Sequence, residues 1–252
     1  MRRVRAFAHR GGAYHPEIHG LENTLEAFQH AWDMGYRHME TDVHLTRDGV
    51  LLAFHDSVLD RVTDRAGVVA DLTLAEVREA RIGGREGVPT LAELVEALPG
   101  ATFNIDLKSE GSVEALHEFV RERGLHDRVL VGSFSGRRLA DFRQLTACRV
   151  RTSAHSWEVV AYRFSPTAAL ARLLTRGRPV ALQVPHHHFG LLVVSSGLIR
   201  RAHANGVEVH VWTIDDEEEM NVLLDRGVDG LMTDRTDILR EVLRARGLWE
   251  EQ

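Results

Sequence analysis

A chain of 252 residues, 44% hydrophobic and 27% charged, is long enough to bury a sizeable core as one large α/β domain. Its net charge of -6 supplies no basic footprint for nucleic acid and no polybasic membrane patch, and no run of about 18 apolar residues exists to span a bilayer. Cys148 is the only cysteine, which excludes an intrachain disulfide; with no apolar signal segment before His9, a cytoplasmic protein is expected.

Val4 to Ala8 reads as a short apolar strand that delivers His9 and Arg10 into a loop, where Gly11 and Gly12 let the backbone turn sharply. Asn23 or Thr24 is the expected N-cap of a helix patterned on Leu25, Phe28, Ala31 and Trp32. The next strand, Arg37 to Val43, runs towards Thr46-Arg47-Asp48-Gly49, a turn composition so short that it can join only antiparallel strands. Residues 37 to 56 therefore predict a hairpin. Glu40 and Asp42, two apart on a strand, share one face. A turn centred near Arg47 and Asp48 gives cross-strand partners whose numbers sum to about 95 or 96, which sets His55 beside residue 40 or 41. Two carboxylates and an imidazole are thereby gathered, unless the hairpin is merely a solvated edge.

Residues 57 to 88 are too long for an ordinary βα connection and too poor in apolar side chains for a core of their own. They are expected to form a small inserted cap within one domain spanning 1 to 252. Thr90 is the expected cap of a helix from Leu91 to Leu98. Alternation is then regular: strands Thr102 to Lys108, Arg128 to Ser133, Arg149 to Ser153, Val180 to Val184, Glu208 to Thr213 and Gly230 to Thr233 are each followed by helical material. Setting the hairpin return aside, eight strands of the parallel type predict a (β/α)8 TIM barrel rather than an open doubly wound sheet, since no Gly-x-Gly-x-x-Gly follows the first strand.

In such a barrel functional groups collect at the carboxyl ends of the strands, and the polar exceptions in this chain fall there. They are His9, Arg10, Glu40, Asp42, Asp106, Lys108, Gln183, Trp212, Thr233 and Asp234. Glu40, Asp42 and Asp106 make an all-oxygen set that suits a hard divalent cation, Mg²⁺ or Ca²⁺. Lys108 is the only lysine, and with Arg10 it adds the positive charge a phosphate needs. His9 and His55 are candidates for general acid and base. His186, His187 and His188, directly after a strand, read either as a second metal site or gating loop or as a solvated loop.

The series His9-Arg10-Gly11, Glu22-Asn23-Thr24, Glu40-Thr41-Asp42, Thr46-Arg47-Asp48-Gly49, His55-Asp56, Asp106-Leu107-Lys108, Gln183-Val184-Pro185, Val211-Trp212-Thr213 and Thr233-Asp234 resembles, in order and over nearly the whole chain, the motifs of the glycerophosphodiester phosphodiesterases. The resemblance implies the same barrel with an inserted cap, and hydrolysis of a small-molecule glycerophosphodiester to sn-glycerol 3-phosphate and an alcohol. It implies Glu40, Asp42 and Asp106 as metal ligands, His9 and His55 as the acid/base pair, and Arg10 and Lys108 on phosphate. Glu22, Asn23, Gln183 and Trp212 fall among its substrate-binding positions, Trp212 lining the glycerol or head-group pocket. One departure is Asp106, where the family usually carries the longer Glu. The rival readings are a lyase resembling the sphingomyelinase D proteins, which stops at a cyclic phosphate, and an inactive phosphate-binding barrel.

Overall fold

The computed structural model describes residues 4–249. Strand β1 (Arg5–His9) is followed by helix α1 (Leu25–Asp33), whose N-cap is Thr24, its hydroxyl accepting from Ala27 N. Strands β2 (His38–Leu45) and β3 (Leu51–Ala53) form the expected antiparallel hairpin, with pairs Val43/Ala53, His44/Leu52 and Leu45/Leu51. The ladder stops there, with Phe54 N donating to Asp42 O as a last bond. His55 therefore leaves the ladder instead of pairing with residue 40 or 41.

The insert carries a one-turn 3₁₀ helix (Val69–Asp71) and the short α2 (Leu74–Val77), then α3 (Leu91–Ala97) follows behind a capping box formed by Thr90 and Glu93. Contrary to the expectation from its composition, the insert takes part in a small core. Leu59, Val69, Val77, Ala80, Ile82 and Val88 are buried together with Leu52 of β3 and Phe54 just beyond it. The hairpin return adds Leu52 and Phe54 to the apolar side chains of the insert itself.

The remaining elements are β4 (Thr102–Leu107), α4 (Ser112–Glu122), β5 (Val129–Gly132), α5 (Gly136–Leu145), β6 (Arg151–Thr152), α6 (Ser156–Phe164), α7 (Ala168–Thr175) and β7 (Ala181–Pro185). A two-stranded hairpin of β8 (His187–His188) and β9 (Leu191–Leu192) precedes α8 (Ser196–Ala204), β10 (Glu208–Trp212), α9 (Glu217–Arg226), β11 (Gly230–Thr233) and α10 (Thr236–Ala245). The parallel strands lie in the order β6-β5-β4-β2-β1-β11-β10-β7. A parallel bridge between Ser153 and Ala181, with Val180 N donating to Thr152 O at 3.0 Å, brings the two ends together as a barrel.

Period-two alternation divides each strand between two environments. Ala6 and Ala8, Met39 and Val43, Ile105 and Leu107, Val209 and Val211 pack under the helices in the main apolar cluster. The intervening positions face the interior, where Gln183 Nε2 donates to Asn104 Oδ1 at 2.7 Å and Glu208 accepts from Arg5. Polar residues on an inner face are thus an expected product of the fold, and those nearest the carboxyl ends define the mouth. Among the described residues no helix is long and apolar enough to cross a membrane.

Candidate active site

At the end of β1, His9 stands beside Glu40 in the parallel register, and β2 sets Asp42 beside Asp106 of β4. The chain after His9 turns at Arg10, whose φ of 50° lies in the left-handed region. Gly11 and Gly12 follow because nothing larger fits: a Cβ on Gly11 would meet Ala27 Cβ at 2.7 Å, and one on Gly12 would meet Thr236 Cγ2 at 2.6 Å. The loop is thereby pressed against α1 and α10, and Arg10 is aimed at the acids.

Asp42, 2% exposed, lies between two cations. Lys108 Nζ is 3.0 Å from its Oδ1, and Arg10 Nε is 3.3 Å from its Oδ2. The same ammonium reaches Asp106 Oδ2 at 2.8 Å. Burial alone would raise the pKa of Asp42, but Lys108 and Arg10 outweigh it and hold the carboxyl below its ordinary value. Asp106 is raised, since Lys108 only partly offsets burial. Glu40 is pushed up to about 7 by burial and by the neighbouring Asp42. Burial would lower Lys108, yet the two aspartates raise it, so it stays an ammonium.

Two of these three carboxylates keep an uncommitted oxygen. Asp42 Oδ2 and Asp106 Oδ1 are buried and accept no hydrogen bond, and Glu40 cannot comfortably ionise beside Asp42. Three carboxylates in that condition fit a hard divalent cation. Lys108 stands between Asp42 and Asp106, and the three carboxylates do not meet within 4.8 Å of one another. Among the described residues, the groups whose ligand atoms all lie within 4.8 Å are His15, Glu17, His30 and His186, His187, Glu219. In the second of these both nitrogens of His186 are already engaged: Nδ1 is 2.5 Å from Glu219 Oε1, and Arg226 Nη1 donates to Nε2 at 2.8 Å. His187 and His188 are exposed on the small hairpin.

Both candidate acid/base histidines are anchored through Nδ1. His9 Nδ1 is 2.9 Å from Asp234 Oδ1 and its Nε2 is 3.8 Å from Glu40 Oε2. Burial would lower its pKa, but Glu40 and Asp234 raise it overall. His55 Nδ1 is 2.5 Å from Asp56 Oδ1, and its carbonyl accepts from His44 Nε2 at 2.9 Å.

The other expected residues are placed unevenly. Both oxygens of Glu22 are taken by guanidinium groups, Arg10 at 3.2 Å and Arg61 at 2.6 and 2.8 Å. Asn23 is buried at φ 57°, its Oδ1 accepting from Thr41 Oγ1 at 2.8 Å while its Nδ2 has no partner. Gln183 bonds Asn104, one inward position beneath Asp106, and so sits deeper than the mouth. Trp212 meets Phe134 edge-on at 5.8 Å, and Lys108 Nζ lies 5.4 Å from the Phe134 ring centre. Sequence reasoning gave no role to Asp56, no partner to Asp234 although it counted that residue among the polar groups at the strand ends, and no role to Phe134 or Arg61. The first two were visible as neighbours of His55 and Thr233, whereas Arg61 lies in the aperiodic insert and carries no such signal.

A family model described as Glycerophosphoryl diester phosphodiesterase family matches residues 9–238. The chain is 39% identical over 230 residues to a Mycobacterium tuberculosis protein named Probable glycerophosphodiester phosphodiesterase 2, covering 90% of this chain and 87% of that one. It is 30% identical over 254 residues to a glycerophosphodiester phosphodiesterase of Caldanaerobacter subterraneus subsp. tengcongensis, covering 95% and 98%. A solved Oleispira antarctica phosphodiesterase in complex with the product sn-glycerol-3-phosphate shares the fold with a TM-score of 0.77 at 24% identity, covering 96% of this chain and 97% of that one.

Proposed function

The chain belongs to the glycerophosphoryl diester phosphodiesterase family and is an enzyme of that class, and from that premise we propose that it hydrolyses glycerophosphodiesters to sn-glycerol 3-phosphate and an alcohol with His9 and His55 as acid and base. The observation that carries this reading is the matched anchoring of the two imidazoles, His9 Nδ1 on Asp234 and His55 Nδ1 on Asp56. A carboxylate on Nδ1 fixes the tautomer and leaves Nε2 to exchange a proton with substrate.

Arg10 and Lys108 draw in the phosphodiester charge, the guanidinium able to fork over two oxygens and the ammonium acting as a point charge. One imidazole removes a proton from the nucleophile, either water, which gives sn-glycerol 3-phosphate directly, or the glycerol 2-hydroxyl, which gives a cyclic phosphate that water opens in a second step with the two imidazoles exchanging roles. The other gives a proton to the departing alkoxide as its bond to phosphorus breaks. Phe134 and Trp212 offer an apolar wall beside Lys108 for the carbon skeleton. Glu40, Asp42 and Asp106 would hold Mg²⁺ or Ca²⁺, which when bound supplies Lewis-acid polarisation of the phosphoryl oxygens. A cytoplasmic location completes the reading.

A coupled assay for glycerol 3-phosphate over a panel of glycerophosphodiesters, run with Mg²⁺, Ca²⁺, Mn²⁺ or EDTA, tests it. Release of glycerol 3-phosphate that EDTA stops reversibly is expected. Full activity in EDTA with no bound metal would remove the metal ligands from the account, and no turnover under any condition would remove the activity.

A further inference from the structure

Arg61 belongs to the insert, yet its guanidinium reaches both flanks of the mouth. Its Nε donates to Asp56 Oδ2 at 2.6 Å, its Nη1 to Glu22 Oε2 at 2.8 Å and its Nη2 to Glu22 Oε1 at 2.6 Å. The far oxygen of Asp56 is the one that holds His55 Nδ1, and Glu22 Oε1 also accepts from Arg10 Nη1. One planar group thus closes a chain from His55 through Asp56 and Glu22 to Arg10. Its backbone is fixed to suit: Leu59 is 1% exposed in the insert core, and Thr63 N donates to Leu59 O at 3.2 Å across the turn containing Arg61.

Arg61 itself is half exposed, whereas Glu22 and Asp56 are largely covered. An isolated ion pair that open to water would contribute little. A fork on one carboxylate with a third bond to another is different, because it fixes the angle between them. We propose that Arg61 is a positioning residue for hydrolysis, orienting His55 through Asp56 and Arg10 through Glu22, so that the insert is coupled to the chemistry and does more than cover it. This rests on the roles given above to His55 and Arg10.

Those two arms separate in kinetics. Misplacing His55 lowers kcat, and misplacing Arg10 raises KM for the anionic diester. The test measures kcat and KM on glycerophosphocholine for Arg61→Gln and Arg61→Lys, alone and combined with Asp56→Asn or Glu22→Gln, with thermal melts to verify folding. Arg61→Gln is expected to lower kcat/KM by about 10–100-fold, as loss of an orienting partner usually does. Arg61→Lys, which keeps the charge but not the fork, should recover only a minor part. The kcat loss should vanish in the Asp56→Asn background and the KM change in the Glu22→Gln background. A loss that persists undiminished in both backgrounds would mean that Arg61 acts directly on substrate and would overturn the proposal, as would near-normal kinetics for Arg61→Gln. If Arg61→Gln does not fold, full rescue of kcat/KM by Arg61→Lys would overturn it equally. An inactive wild type instead contradicts the proposed function, which keeps the two failures apart.

Discussion

Glu40 has the least comfortable carboxylate in the mouth. Burial and the neighbouring Asp42 push it up to about 7 against the opposing pull of His9 and Arg10, so a further positive charge beside it would favour its ionised form. Glu40→Ala is therefore expected to lower turnover by roughly 10²–10⁴-fold while leaving the melt cooperative, and to weaken Mg²⁺ or Ca²⁺ binding measured by calorimetry. Retained cation affinity would remove Glu40 from the ligand set. That Glu40 and Asp42 share a face could be read from their spacing of two, as could the pairing of Asp106 with Lys108, because strand geometry converts that spacing into a shared face. Gln183 obeyed the same rule but lies deeper, since spacing fixes the face of a strand and not the height along it. Arg61 could not be found this way at all: its partners are 5 and 39 residues distant and no periodic element joins them.

The hairpin of β2 and β3 carries the same lesson for elements. Its register, with partners such as Val43 and Ala53, follows from turn composition, but where the ladder ends depends on what the chain meets next. Here it meets the insert, whose buried Leu59, Val69, Val77 and Ile82 close over Leu52 and Phe54. Counting apolar residues within 57 to 88 alone overlooked the two that the hairpin contributes. Leu59→Ala should cost about 2–5 kcal/mol of local stability. Hydrogen exchange should then show lost protection across the insert with the barrel strands still protected. Uniform loss through the barrel would mean that the insert is not a separate cooperative unit.

At the scale of the molecule, the closed barrel was readable because eight apolar strands alternate with helices, but the strand expected over Arg149 to Ser153 shortens to the two-residue β6 beside the closing bridge, since so short a strand takes its bounds from its neighbours. The far end of the barrel from the mouth has its own charge cluster. Burial would raise Glu208, but bonds from His210 and Arg5 bring it down to about 2 from an ordinary 4.5. A carboxylate depressed by folding contributes stability above its unfolded pKa and loses it as pH falls towards the folded one. The melting temperature should accordingly fall between pH 4.5 and 2, and Glu208→Gln should lower it at pH 7 while flattening that decline. An unchanged acid profile in the variant would exclude Glu208 as a cause.

The paired histidines are the centre of the account, and comparing leaving groups tests them most directly. Alcohol release would be measured for wild type, His9→Ala and His55→Ala on glycerophosphocholine and on a glycerol 3-phosphate ester of 4-nitrophenol, whose phenolate departs without a proton. Both variants should lose about 10²-fold or more on the choline ester, and one of them, the variant lacking the acid, should recover towards wild type on the nitrophenyl ester. Wild-type rates for either variant on glycerophosphocholine, or equal defects in both variants on both substrates, would contradict the assignment of His9 and His55 as an acid/base pair.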